Sequence, residues 1–313
     1  MKQITDTVFM VRPVQFRLNE QTAVNNYYQD LDAHQRIKNE VANQKAQQEF
    51  DAFVSNLQEK GINVIVISDD EKNDTPDSLF PNNWISTHEN GDVALYPMFA
   101  ENRRLERRPE VLDILEENGF QIKNIVDYST AEEEDLFLEG TGSLLLDRAN
   151  QKAYCSISPR AHEELLIEFC EDFEYTPVIF TAYQTVEDKR LPIYHTNVMM
   201  ALGEQYAVIC LDCIDDKKER KNVLQHLKED SKEVIVITEA QVSAFAGNMI
   251  QVHNKKGDKY LVMSDQAYQS LTKIQIKALE KYNEIIHPAI ETIETLGGGS
   301  VRCMMAEVFL PRA

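Results

Sequence analysis

Five residues, Asn83, Glu139, Asn197, Asn248 and Cys303, each stand at the opening of a strand-like run, spaced by 56, 58, 51 and 55 residues. A near-constant interval in this range marks a repeated supersecondary unit. Each cycle reads as two strands, a helix and a further strand. In one of them "NNWIST" and "VALYPM" flank "HENGD", where Asn90-Gly91 signals a hairpin. A charged helix over about 101–118 then stops at Gly119, and "QIKNIVDY" closes the unit. Alternating α/β proteins need not close on themselves. Repeats that do close into a ring would bring those strand openings around one centre.

Other cycles follow the same plan. A polar helix spans roughly 33–60 before "INVIVIS", and helices over 216–229 and 266–283 precede later strands. "SVRCMMAEVF" reads as the final strand, with Cys303 just beyond three glycines, 297–299. No Pro/Ser-rich linker divides the chain, so residues 1–313 read as one domain of the α/β class.

Charge limits the partners. With 32 basic and 52 acidic residues the chain carries −20, which argues against nucleic acid and anionic membrane. "MKQITDTVFMVRP" lacks the pattern of a signal peptide, and no apolar run is long enough for a span. A cytoplasmic location is therefore expected. The five cysteines then read as reduced thiols. "CLDC" (210–213) lies in a strand-like run, unlike a redox motif, and no second such pair or histidine cluster accompanies it, so neither metal nor cofactor is expected. Assembly with further copies of the chain is left open.

Three stretches carry candidate chemistry beside Cys303: "SLFPNNWIST", "LEGTGSLLLD" and "YHTNVMM". Together they offer a thiol nucleophile, an imidazole and a carboxylate, a combination suited to acyl-type transfer. His195 can shuttle a proton and Glu139 can fix its tautomer. Each residue also has a plain structural reading: a cysteine in an apolar strand, a histidine at a strand edge, asparagines in turns.

"GGGSVRCMMAEVF", "YHTN", "LEGTGS" and "FPNNW" together resemble the guanidino-group modifying superfamily of arginine deiminases, dimethylarginine hydrolases and amidinotransferases. The chain is most similar to its arginine-deiminase-related branch associated with citrulline utilisation. The resemblance implies a five-bladed α/β propeller (pentein) of ββαβ units. It also implies Cys303 as nucleophile, His195 as general acid/base and Glu139 as its partner. "SISPRAHEE" is similar to a segment whose arginine holds the substrate carboxylate, which falls on Arg160. "ENRRLERRPEV" resembles another arginine-bearing segment, pointing to Arg107 and Arg108.

Where the deiminases place two aspartates on the guanidinium, in Phe-x-x-Asp and His-x-Asp motifs, this chain has Phe80-Pro-Asn-Asn83 and His195-Thr-Asn197. A further family aspartate is Ser143 here. A buried cation facing amides loses its counter-charge. A neutral ureido group suits an amide, which both donates and accepts. With Phe80, Asn83, Asn197 and the arginines as substrate-binding residues, the expected reaction is hydrolysis of citrulline, a small amino acid, to ornithine, ammonia and carbon dioxide. Deiminase, dimethylarginine hydrolase or amidinotransferase activity on a guanidine is the alternative, and a non-catalytic amino-acid-binding relative is another.

Overall fold

The computed structural model describes residues 1–312 of the 313. Strand β1 (Thr7–Arg12) runs parallel to β2 (Asn63–Ser68), with Val8 opposite Val64 and Met10 opposite Val66. A parallel pair needs a long crossover. Here that crossover is the 21-residue helix Asn39–Glu59, whose Ala42, Ala46, Phe50, Phe53, Val54 and Leu57 form one buried face. It packs on Val8 and Met10 of β1.

β3 (Ile85–Thr87), β4 (Asp92–Leu95) and β5 (Asn124–Asp127) make the next sheet: β4 is antiparallel to β3 and parallel to β5. The same pattern recurs in β6 (Leu144–Asp147), β7 (Lys152–Ile157) and β8 (Thr176–Thr181). A separate hairpin follows, β9 (Tyr183–Val186) with β10 (Lys189–Pro192). Then come β11 (Met200–Leu202), β12 (Tyr206–Ile209) and β13 (Glu233–Val236). β14 (Ile250–His253), β15 (Lys259–Val262) and β16 (Glu284–Ile286) repeat the plan. Finally β17 (Ala306–Glu307) returns antiparallel to β1, so that sheet draws on both ends of the chain. The result is a mixed α/β fold of five three-stranded sheets and one two-stranded sheet. No helix among the described residues is long and apolar enough to cross a membrane.

Several elements differ from their sequence-based expectation. The helix expected over 101–118 is two, Glu101–Arg104 and Glu110–Glu117, because Pro109 lacks an N–H and biases the residue before it away from helix. The stretch 33–60 splits into Leu31–Arg36 and Asn39–Glu59. The 266–283 stretch breaks at Thr272, whose capping box with Gln275 starts a new helix, Lys273–Leu279. Leu211–Cys213 is a tight helical turn after β12 rather than strand.

Cys303 likewise sits in a helical turn, Val301–Met304, immediately before β17. The other four spaced residues share this placement. Asn83 ends the turn Pro81–Asn83 before β3, Glu139 precedes the turn Gly140–Ser143 before β6, and Asn197 lies in Thr196–Val198 before β11. Asn248 follows turn residues 244–247 and stands two residues before β14.

Candidate active site

These turns are tied to one another. Thr141 Oγ1 donates to Asn82 O (3.2 Å), and Thr196 Oγ1 donates to Ser143 O (2.6 Å). Asn248 Nδ2 donates to Asn197 O (3.1 Å), while Asn248 Oδ1 accepts from the Arg302 N–H (3.0 Å). Phe80 packs on Gly297 and Gly299, bringing the segment before Cys303 back to the turn that holds Asn83. Gly142 permits a close approach of two site side chains. A Cβ there would lie 2.4 Å from Asn83 Nδ2 and 2.8 Å from His195 Nδ1. Gly298, at φ +62, ends the helix Glu291–Gly297 in the left-handed conformation that glycine takes without strain.

A small cavity opens among the turns, lined in part by Phe80, Asn83, Arg160, Tyr194, His195 and Cys303. Its volume is about 10 Å³. Two amides face the Cys303 sulfur: Asn197 Nδ2 at 3.5 Å and Asn248 Nδ2 at 3.2 Å. His195 Nε2 is 2.7 Å from Glu139 Oε2, and its Nδ1 has no partner among the described residues. Burial would raise the Glu139 carboxyl, but Arg160, at 3.5 Å, and the hydrogen bond from His195 outweigh it and hold it at about 2. Burial pushes His195 down to about 4 against the pull of Glu139, so the imidazole is neutral near pH 7.

The far wall is charged. Arg103 makes a two-pronged pair with Glu106 (2.9 Å for each contact) and gives Nη1 to Asn83 Oδ1 (2.8 Å). Burial lifts Glu106 to about 7 despite Arg103. Asp77 also lines the cavity. Its Oδ2 accepts from Asn19 and Thr22, and its Oδ1 has no partner among the described residues. Burial raises Asp77, opposed by Arg103.

Residues 19–30 form a strap over this wall. Arg160 donates to Thr22 O (3.0 Å) and, through Nε and Nη2, to Asn25 Oδ1. Asn26 Nδ2 donates to Gly297 O and Gly298 O, and Asp30 N–H to Thr295 O. Tyr28 packs against Tyr194 and Phe245.

The structure thus gathers Cys303, His195, Glu139, Asn83, Asn197, Arg160 and Phe80 at one place. Arg107 and Arg108 are elsewhere, a correction to the sequence reading. Arg107 pairs with Glu132 (2.6 Å), and Arg108 donates to Ser68 O. The short helix Glu101–Arg104 ends before them, and it is Arg103 that turns inward. Its spacing from Glu106 is a weak sequence signal, shared by Arg107 and Glu110. Asp77 and Tyr194 line the cavity without a comparable signal, and Asn248 was marked only by the repeat interval. Cys210 and Cys213 are buried away from it, and no metal-holding cluster of His, Cys, Asp or Glu occurs among the described residues.

The chain matches the family model described as N,N dimethylarginine dimethylhydrolase, eukaryotic, over residues 12–310. No curated protein matches it in sequence. Among solved structures, ArgZ, an arginine dihydrolase from the ornithine-ammonia cycle in cyanobacteria, aligns with TM-score 0.74 at 17% identity, covering 98% of this chain and 41% of ArgZ. The chain therefore spans about two fifths of that protein. The N-terminal domain of ArgZ alone, covalently bound to a reaction intermediate, aligns with TM-score 0.71 at 16% identity over 97% of this chain and 99% of the domain. A dimethylarginine dimethylaminohydrolase variant in adduct with S-methyl-L-thiocitrulline gives TM-score 0.65 at 13% identity, covering 97% of this chain and 99% of that one. At these identities the structural likeness establishes the fold.

Proposed function

Because the chain belongs to the N,N-dimethylarginine dimethylhydrolase family, within the guanidino-group modifying superfamily of C–N bond enzymes acting on arginine-like compounds, we propose that it hydrolyses citrulline. The five sheets read as the blades of one α/β propeller formed by a single domain. The hydrogen-bonded succession of turns supports this, as does the bond from His253 N–H on the last blade to Thr5 O beside the first. Ligands of this size, L-arginine and ornithine, are bound in structures of AgrE, another protein of this fold. Arg160, Arg103 and Asp77 are suited to the carboxylate and ammonium ends of such an amino acid.

The observation that carries the ureido reading is the polarity of two amides. Arg103 has only donors to offer, so the atom it meets on Asn83 is Oδ1; Nδ2 gives one hydrogen to Asn82 Oδ1 (3.1 Å) and keeps the other as a donor beside His195 and Gly142. Asn197 gives Nδ2 to the sulfur and keeps Oδ1 unpartnered as an acceptor. One donor and one acceptor match the C=O and NH₂ of a ureido group. A guanidine is favoured by the family match to a dimethylarginine hydrolase and, in the cavity, by Asp77, which lies beside Arg103 and Arg160.

In this mechanism Cys303 gives its proton to neutral His195 and attacks the ureido carbon. His195 passes the proton to the δ-nitrogen as the C–N bond breaks, releasing ornithine and leaving an S-carbamoyl thioester. Water, deprotonated by His195, displaces the sulfur, and the carbamate decomposes to ammonia and carbon dioxide. The test is product release from citrulline, arginine and Nω-methylated arginines. Citrulline should have the highest kcat/KM, by about 10²-fold or more. Replacing Asn83 and Asn197 together by Asp should move the preference toward arginine. Faster turnover of arginine by the wild type would overturn the assignment.

A further inference from the structure

Asn248 stands fourth among the five spaced residues and has no place in the mechanism above. It is 1% exposed, and its amide can adopt only one orientation. Oδ1 must face the Arg302 N–H, a donor, at 3.0 Å, and Nδ2 must face the Asn197 carbonyl, an acceptor, at 3.1 Å. Turning the group over would set donor against donor and acceptor against acceptor. The second hydrogen of Nδ2 is thereby directed at Cys303 Sγ, 3.2 Å away, closer than the Asn197 amide. Arg302 is also the residue preceding the cysteine, so the same side chain fixes the backbone that carries the sulfur.

We propose that Asn248 is a catalytic residue whose locked amide receives the negative charge of the Cys303 sulfur, a role that rests on Cys303 being the nucleophile. Charge resides on that sulfur twice in each cycle. It is present when the thiol has passed its proton to His195, and again when water has added to the thioester carbon and the C–S bond breaks with its electron pair going to sulfur. A preorganised N–H donor at both moments lowers both barriers. Asn197 must also serve the ligand through Oδ1. Asn248 has no free acceptor and is given over to the sulfur and its turn.

The experiment compares Asn248→Ala and Asn248→Asp with wild type, each verified as folded by near-ultraviolet circular dichroism. The readouts are turnover of citrulline and the rate of iodoacetamide alkylation of the Cys303 peptide at pH 7. Alanine should lower kcat by about 10²-fold or more and slow alkylation about tenfold. Aspartate keeps the size and the acceptor for Arg302 but presents an anionic oxygen to the sulfur, so it should impair both rates more than alanine does. A residue needed only to hold its turn leaves the sulfur alkylated at the wild-type rate in both folded variants, and that result overturns the proposal. Should alanine fail to fold, an aspartate variant alkylated at the wild-type rate overturns it alone. Turnover surviving in Cys303→Ala would instead remove the underlying reading. A dead Cys303→Ala beside unimpaired Asn248 variants would remove only this one.

Discussion

Glu139 and His195 are both buried, and their proton inventory sets the direction of acid–base chemistry. With the carboxyl at about 2 and the imidazole at about 4, the pair is anion plus neutral ring across the working range. A neutral ring accepts a proton, so kcat/KM should hold level on acidification until about pH 4 and fall below it. Glu139→Gln removes the charge that draws a proton to His195. Its kcat should fall by about 10²-fold, and the acid limb should move to lower pH; a limb that moves upward would show that another group titrates there. That Cys303, Glu139 and three asparagines meet was legible in the sequence because they recur at one interval, and His195 stands two residues before one of them. Arg103 was not. Four arginines crowd 103–108, and which of them points inward depends on where a four-residue helix stops.

The element that organises the centre is the tight turn before a strand. Its shortness lets five copies come together, and its glycines let neighbouring copies touch. At Gly142 the next atoms are Asn83 Nδ2 and His195 Nδ1, both held from behind, by Arg103 and Glu139. Gly142→Ala should therefore separate these groups and lower kcat by about 10²-fold, with far-ultraviolet circular dichroism unchanged. An alanine variant of normal activity would mean that the turns yield easily. Strands and hairpins such as that at Asn90-Gly91 were legible because their signals are local. The turns read as strand openings because an apolar run such as "VRCMMAEVF" fits a helical turn followed by a strand equally well. Pro109 was a visible break, outweighed by the charged periodicity on either side.

Across the whole molecule, the binding wall is engaged by the chain itself. Arg160, suited to a substrate carboxylate, is already satisfied by Thr22 O and Asn25 Oδ1 of the strap, and the space left beside it admits about one water. The interval between repeats gave no warning of this, since the strap lies outside the repeating unit. Asn25→Ala should lower KM for citrulline several-fold with little change in kcat; a raised KM would place Asn25 among the groups that hold the ligand. If only a fraction of molecules has released the strap at any instant, apparent affinity falls by that fraction. On the proposed function, each arriving amino acid has to evict an internal tenant. Half-saturation is then governed by how often the protein lets go of its own arginine, as much as by anything the newcomer offers.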